Sequence, residues 1–280
     1  MSTPAPRTIV ITGASDGIGA AAAVQLSQSG HRVIVVGRST EKTRAAAQAC
    51  DAAASFTADF ADLAQVRRLA VQLREACPRI DVLANNAGGV FPRSRRTVDG
   101  LPLTMQVNHL APFLLTHELL DVLLESGASV VNTSSMAARA GHVEPGDLDG
   151  KGRTRPGFAY SDAKLSNILF TRGLHTRYSP RGLSAVAIHP GVVATSFGAS
   201  LGGPVAAWYS SRIGQNSMIT PEQGGANLAH FAAGRPGIDW VSGQFYDDHW
   251  NLLPLPRQAR DQRVVEGHWE LSARLVGVTA

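Results

Sequence analysis

The 280-residue chain has only two cysteines, Cys50 and Cys77, with no CxxC spacing and no cysteine/histidine ligand pattern around them. That scarcity excludes a disulfide scaffold and a structural zinc site, and it fits a metal-free protein of a reducing compartment, the cytoplasm. No run of lysine or arginine approaches the length of a nucleic-acid-binding tail. The net charge of +4 suits small anionic ligands better than DNA or RNA. No apolar stretch reaches the roughly 20 residues of a membrane span. The short lead of residues 1–6 runs directly into β-branched residues, without the apolar core of a secretory signal. Internal repeats and low-complexity segments are also missing.

What is present is regular alternation. With 44% hydrophobic residues, the chain can fill one large α/β core without a second domain. Mostly apolar runs at Arg7–Thr12, His31–Val36, Ala53–Thr57, Ile80–Ala84, Ser129–Asn132, Leu183–His189 and Ser242–Tyr246 read as strands. Helical patterns separate them: an alanine-rich segment from Gly19 to Gly30, then Glu41–Ala49, Asp62–Ala76, Met105–Glu125 with a local adjustment at Pro112, a helix carrying Tyr160 and ending near Tyr178, and Glu222–Ala233. Such strands, buried on both faces and joined by helices, predict a doubly wound α/β fold with a parallel sheet. The expected organisation is a lead of residues 1–6, a catalytic domain over 7–250 and an extension over 251–280 packed on it. Two stretches break the rhythm, Ala137–Gly157 and Val192–Thr220. Both follow strand ends on the side where such folds bind ligands, so the second is expected to be a substrate loop.

Between the first strand and the first helix stands Thr12-Gly13-Ala14-Ser15-Asp16-Gly17-Ile18-Gly19. Glycines there let backbone amides and a helix N-terminus approach a pyrophosphate. The second strand ends at Gly37-Arg38-Ser39-Thr40. A carboxylate at that place would bind the ribose hydroxyls of NAD(H), whereas an arginine offers a fork to a 2′-phosphate, so Arg38, helped by Ser39 and Thr40, favours NADP(H) over NAD(H). Asp59, past the third strand, is placed either to accept from an adenine amino group or to cap the next helix, a task for which Asp62 competes.

Tyr160 and Lys164 lie four residues apart on one helix, which points a phenol and an ammonium the same way. A neighbouring cation stabilises the phenolate and brings a tyrosine, otherwise titrating near ~10, into a useful range for proton transfer.

These motifs stand in order along nearly the whole chain together with Asn85-Asn86-Ala87-Gly88, Asn108, Ser135 and Pro190-Gly191 with Thr195. In that combination the chain resembles the short-chain dehydrogenase/reductase family. Two further runs, at Val107–Leu120 and Gly157–Leu174, are similar to the subgroup of retinol dehydrogenases and related lipophilic carbonyl reductases. The resemblance implies a single-domain Rossmann-type fold with a parallel sheet of about seven strands. It implies that Tyr160 is the general acid/base, that Lys164 lowers its pKa and holds the nicotinamide ribose, that Ser135 rather than Ser134 hydrogen-bonds the substrate carbonyl, and that Asn108 completes a water-mediated proton relay. It also implies cofactor contacts at Thr12, Gly13, Ser15, Asp16, Gly17, Ile18, Gly19, Arg38, Ser39, Asp59, Phe60, Asn86, Ala87, Gly88, Pro190, Gly191, Val193 and Thr195. The expected reaction interconverts a ketone or aldehyde and an alcohol on a bulky lipophilic molecule, retinoid-, steroid- or polyketide-like, in a homodimer or homotetramer. Alternatives are a non-catalytic NADP(H)-sensing regulator on the same fold, which would be expected to lack the tyrosine or the lysine, and an epimerase or dehydratase using tightly held NAD.

Some residues invite a role that the pattern does not favour. His109 and His189 lie on apolar elements and read as packed, hydrogen-bonded histidines. Asp247, Asp248 and His249 are consecutive and seldom supply a full metal shell. Arg93, Arg95 and Arg96 read as a solvated loop, whereas Phe197, Trp208, Tyr209 and Met218 are placed equally well to cover an apolar substrate or to pack in a core or subunit contact.

The arginine reading is testable. Arg38→Asp should lower the NADPH/NADH ratio of kcat/KM by about tenfold or more, the size of one charge-assisted contact. An unchanged ratio contradicts it.

Overall fold

The structure is a computed structural model, and it describes residues 5–91, 95–144, 148–149, 158–193 and 218–279. Among them, eight strands form one sheet: β1 (Thr8–Thr12), β2 (Arg32–Gly37), β3 (Ala54–Thr57), β4 (Val82–Asn85), β5 (Ser129–Thr133), β6 (Ser184–Ile188), β7 (Gln244–Tyr246) and β8 (Leu252–Leu253). Their order is β3-β2-β1-β4-β5-β6-β7-β8, parallel throughout except for the last pair. The order reverses direction between β1 and β4, which opens a crevice at their carboxyl ends where such sheets take ligands.

Alternation along each strand sends side chains to two separate cores. Ile9, Ile11, Val33 and Val35 pack with residues of α1 (Gly17–Gln28), and Leu228 and Phe231 of the helix Pro221–Ala233 join the same cluster. Val10, Ile34, Val36 and Val130 face the opposite side, towards α3 (Leu63–Ala76) and the long α7 (Ala159–Tyr178). Helix α2 (Thr40–Ala49) covers the β2–β3 edge, and α4 (Leu103–Met105), α5 (Ala111–Glu118) and α6 (Leu120–Glu125) lie between β4 and β5 in sequence. Beyond α7 come α8 (Pro221–Ala233), α9 (Arg257–Arg260) and α10 (Gln262–Val276).

Two features depart from the expected pattern. The helix expected over Met105–Glu125 contains a wider π turn at Gln106–Leu110, where the Ala111 N–H donates to the Gln106 carbonyl, and it breaks again at Leu119. Pro112 explains the first irregularity, because it has no N–H for the Asn108 carbonyl four residues earlier. The sheet has eight strands, not about seven, because Leu252 and Leu253 turn back antiparallel to β7. The Asp247 side chain holds that turn by accepting from the N–H groups of His249 and Asn251. A two-residue strand is too short to show period-two alternation.

The C-terminal helix α10 is keyed into the second core by Trp269, whose ring lies 4.9 Å from Phe113 and 5.8 Å from Phe170 between centroids. Gly173 of α7 makes room for it, since a Cβ there would meet the indole Cε3 at 2.6 Å. Arg177 covers the indole at 4.6 Å and pairs with Glu266 at 2.6 Å. Gly173→Val is therefore expected to destabilise the fold by about 1–3 kcal/mol through overpacking, measured as a lower denaturant midpoint. A midpoint matching the parent chain contradicts this docking.

Candidate active site

The glycine turn sits where β1 meets α1. Gly13 (φ +67°) and Gly17 (φ +52°) adopt the left-handed region, and a Cβ on Gly13 would strike the Ala87 backbone at 2.7 Å. The turn is thus pressed against the end of β4. Thr12 and Asn86 fasten the two strand ends: the Thr12 hydroxyl donates to the Ala84 carbonyl at 3.2 Å and accepts from the N–H groups of Asn86 and Ala87 at 3.0 Å each, and Asn86 Nδ2 donates to the Thr12 carbonyl. Thr12 is fully buried, so its visible work is to shape the turn. The Ala14 N–H donates to the Val36 carbonyl, which brings the turn beside the end of β2.

At that end Arg38 is exposed and makes no hydrogen bond or ion pair among the described residues. Ser39 is the N-cap of α2, its hydroxyl accepting from the Lys42 N–H at 3.4 Å. Asp16 caps α1 by accepting from the Gly17 N–H and pairs with Lys42 at 3.0 Å. The hydrogen bond from Lys42 is the main cause holding its carboxyl below the ordinary value. Ile18, on the first turn of α1, is set against α8, where a Cβ on Gly224 would meet its Cγ1 at 3.0 Å. A Cβ on Gly37 would meet the Ser15 Cβ at 2.7 Å, which sets Ser15 beside the β2 end. Asp62 caps α3, so Asp59 is not its N-cap; Asp59 Oδ1 accepts from the Ala61 N–H, and Phe60 is buried in the core.

The chemical residues gather at the ends of β4, β5 and α7. Asn108 is fully buried in the π turn; its amide accepts from the Gly89 N–H at 3.1 Å and donates to the Gly89 and Thr104 carbonyls at 2.8 Å each. A Cβ on Gly88 would fall 2.5 Å from Asn108 Oδ1 and 3.3 Å from Lys164 Nζ, so only glycine leaves space between them. Lys164 Nζ donates to the Thr133 carbonyl at 3.1 Å and stands 5.5 Å from the centre of the Tyr160 ring. Burial pushes its pKa down to about 8. The two serines separate cleanly. Ser134 is buried and donates to the Lys164 carbonyl at 2.8 Å, whereas Ser135 is partly exposed and accepts from the Ala137 N–H at 3.2 Å, starting the short turn Met136–Ala140.

Past β6, Asn227 Nδ2 donates to the Pro190 carbonyl, Gly191 takes φ +98°, and Val193 bridges to Ile219. A cleft of about 270 Å³ lined by Ile219, Gln223, Ala226, Asn227, Asp248 and His249 opens here. Thr195, Phe197, Trp208, Tyr209, Arg93 and nearly all of the loop 192–220 lie outside the described residues. Arg96 donates to the Gly100 and Asp149 carbonyls at the surface. His189 is buried and its pKa is lowered by desolvation. His109 is fully buried and pushed down to about 3, also by desolvation, which keeps it neutral. The side chains of Asp247, Asp248 and His249 cluster within 4.8 Å, but Asp247 is occupied by its own turn.

Asn167 was not singled out by the sequence patterns. It is three residues past Lys164, on the same helical face, and its Nδ2 donates at 3.0 Å to the Thr133 carbonyl that Lys164 also uses. That spacing was the available signal. Beneath it, Asn85 Nδ2 donates to Thr116 and to Asn132, and Asn132 Nδ2 to Thr171, which ties β4, β5 and α7 together.

Comparison with known proteins places these features in a family. A family model described as short chain dehydrogenase matches residues 7–203. A Streptomyces sp. (strain C5) protein named "Putative daunorubicin C-13 ketoreductase DnrU" is 39% identical over 280 residues, covering 98% of this chain and 94% of the relative. Human retinol dehydrogenase 13 is 34% identical, with coverage of 98% and 86%. A crystal structure of an uncharacterized protein from Mycobacterium paratuberculosis superimposes with a TM-score of 0.76 at 31% identity, covering 98% of this chain and 94% of that one. No helix among the described residues is long and apolar enough to cross a membrane.

The buried ammonium has a stability consequence of definite sign. Its folded pKa of about 8 lies below its usual 10.5, so the unfolded chain binds the proton more tightly and folding is opposed at neutral pH, an opposition that fades as pH climbs from about 8 towards 10.5. Lys164→Met should accordingly raise stability at pH 7, by at most about 3 kcal/mol, and the gain should shrink above pH ~8 in melting curves taken across that range. A variant less stable than the parent at pH 7 contradicts the assignment.

Proposed function

Because the chain belongs to the short-chain dehydrogenase/reductase family, in its retinol dehydrogenase-like subgroup, we propose that it is an NADP(H)-dependent reductase of a bulky lipophilic carbonyl compound, with Tyr160 as general acid/base. The observation that carries the reading is the buried Lys164 ammonium, held by the Thr133 carbonyl and facing the Tyr160 ring. A cation kept there, in a low-dielectric setting, favours the phenolate and makes the phenol a better proton donor.

The residues fit a dinucleotide. The left-handed Gly13 and Gly17 fold the turn so that the N-terminus of α1, whose Gly17 N–H is taken by Asp16, would lie towards a pyrophosphate. Arg38 has no partner among the described residues and stands past the end of β2, where it would meet an adenosine 2′-phosphate, and Gly88 leaves a gap beside Lys164 that a side chain would fill. Lys42 neutralises Asp16 nearby, which lessens its repulsion of a phosphate. Thr12, Asn86 and Ala87 would hold the turn in shape, with Asp59 and Phe60 beside the adenine and Pro190, Gly191, Val193 and Thr195 beside the nicotinamide.

When bound, the nicotinamide supplies or takes up a hydride. The protein's share is proton handling and orientation. Ser135 donates its hydroxyl hydrogen to the substrate oxygen, Tyr160 delivers the proton to that oxygen, and Lys164 keeps the phenol acidic. Asn108, clamped between Gly89 and Thr104, fixes the π turn, whose Asn108 carbonyl is free of an α-helical partner and can hold a relay water. The two named relatives, a daunorubicin ketoreductase and a retinol dehydrogenase, support a polycyclic polyketide ketone or a retinoid aldehyde as substrate class. The setting proposed is the cytoplasm, as a homodimer or homotetramer.

The test is NADPH oxidation with daunorubicin, all-trans-retinaldehyde and a steroid ketone. Tyr160→Phe should lower kcat by roughly 10²–10⁴-fold and Ser135→Ala by roughly 10²–10³-fold, while the Kd for NADPH stays within about threefold. Wild-type turnover in Tyr160→Phe rejects the mechanism.

A further inference from the structure

A chain of buried polar groups runs from the C-terminal helix to the carbonyl that holds Lys164. Ser272 on α10 is fully buried, and its hydroxyl lies 3.0 Å from His109 Nε2 and 2.8 Å from the His268 carbonyl. His109 Nδ1 is 3.3 Å from Asn167 Oδ1, and Asn167 Nδ2 is 3.0 Å from the Thr133 carbonyl. These contacts join α10, the π turn, α7 and the end of β5.

The proton positions follow from the amide. The Thr133 carbonyl only accepts, so the Asn167 NH₂ must face it, and the amide oxygen must face His109. An oxygen there requires hydrogen on Nδ1. A neutral imidazole then has a bare Nε2, which can only accept, and the single Ser272 hydrogen is the donor within reach. At 2.8 Å the Ser272 hydroxyl also donates to the His268 carbonyl of its own helix, so its one hydrogen is shared between that carbonyl and Nε2, which would otherwise lack a partner inside the core. The direction that gives each ring and amide atom a partner runs from Ser272, its hydrogen shared between the His268 carbonyl and His109, to His109, then from His109 to Asn167 and from Asn167 to Thr133.

Thr133 is the last residue of β5, two before Ser135, and its carbonyl takes Lys164 Nζ as well as Asn167. We infer that Asn167, oriented by His109 and Ser272, is a positioning residue that fixes the Thr133 carbonyl and thereby the placement of Lys164 and Ser135 relative to Tyr160. This rests on the reading of Tyr160 and Lys164 given above. Asn167 touches neither substrate nor reacting atoms. Its amide fills the second lone pair of the carbonyl, so that the ammonium is held on the other, and it pins the strand that carries one reacting hydroxyl to the helix that carries the other. The C-terminal helix is thus coupled to the catalytic edge through hydrogen bonds as well as through Trp269.

Two measurements test it on the full-length protein. In cofactor-free wild type labelled with ¹⁵N-histidine, His109 should show a protonated Nδ1 and a bare Nε2, and in Asn167→Leu the proton should move to Nε2. A protonated Nε2 in the wild type overturns the chain. In steady-state reduction of daunorubicin with NADPH, or of all-trans-retinaldehyde where that is turned over faster, Asn167→Leu should lower kcat about tenfold with KM for NADPH within about twofold. Ser272→Ala should lower it about threefold, and the double variant should be no worse than Asn167→Leu alone, because the chain is already cut. Should Asn167→Leu not fold, Ser272→Ala decides: kcat within 1.5-fold of wild type overturns the proposal, as do additive losses in the double variant. Tyr160→Phe is run alongside. Turnover surviving there overturns the catalytic reading and this inference together, whereas its loss with an unaffected Asn167→Leu overturns the inference alone.

Discussion

A lysine ammonium almost wholly withdrawn from water sets the terms for the edge where β5 meets α7. Charge in a protein interior is costly unless partners replace the lost hydration. Here the visible replacement among the described residues is a backbone carbonyl at the end of a buried strand, that of Thr133. That requires β5 to end at a fixed height against α7. The neighbouring buried contacts serve this: Ser134 donates back to the Lys164 carbonyl, Asn167 shares the Thr133 carbonyl, and Asn132 reaches Thr171 one turn further on. The strand end and the helix are laced at several points, and the ammonium occupies the last of them.

The crevice opposite is shaped by backbone proximity and not by charge. Thr12 and Asn86 bind the ends of β1 and β4 so closely that Gly13 has no room for a side chain against Ala87. The cations that would meet a phosphate, Arg38 and the Asp16-bound Lys42, stand at the surface beyond the end of β2. On the proposed reading, rigid packing would define where a dinucleotide fits, and exposed, adaptable charge would sit where its identity is read.

Much of the fold was legible because a parallel sheet writes itself into sequence as short apolar runs between helices. The glycine turn, the Tyr160/Lys164 spacing and the Asn86–Gly88 segment were likewise visible, each being local. The π turn was only half visible: Pro112 announced an irregularity, but its form depends on how Asn108 is clamped between Gly89 and Thr104, residues on different segments. The strand at Leu252–Leu253 escaped because two residues carry no period, and its pairing depends on a turn folded by Asp247.

By itself the sequence determined the element order and the two-faced core, and it supplied the residues proposed to move a proton and to receive a dinucleotide, since these depend on periodicity and on spacings of a few residues. Tertiary structure decided which serine turns inward, that Asp62 caps α3, and that Asn167 meets the carbonyl used by Lys164. It also brought Ser272, more than a hundred residues later in the chain, to His109. These depend on which elements meet and at what register, and hydrogen bonds between distant segments leave no periodic trace in the chain that makes them.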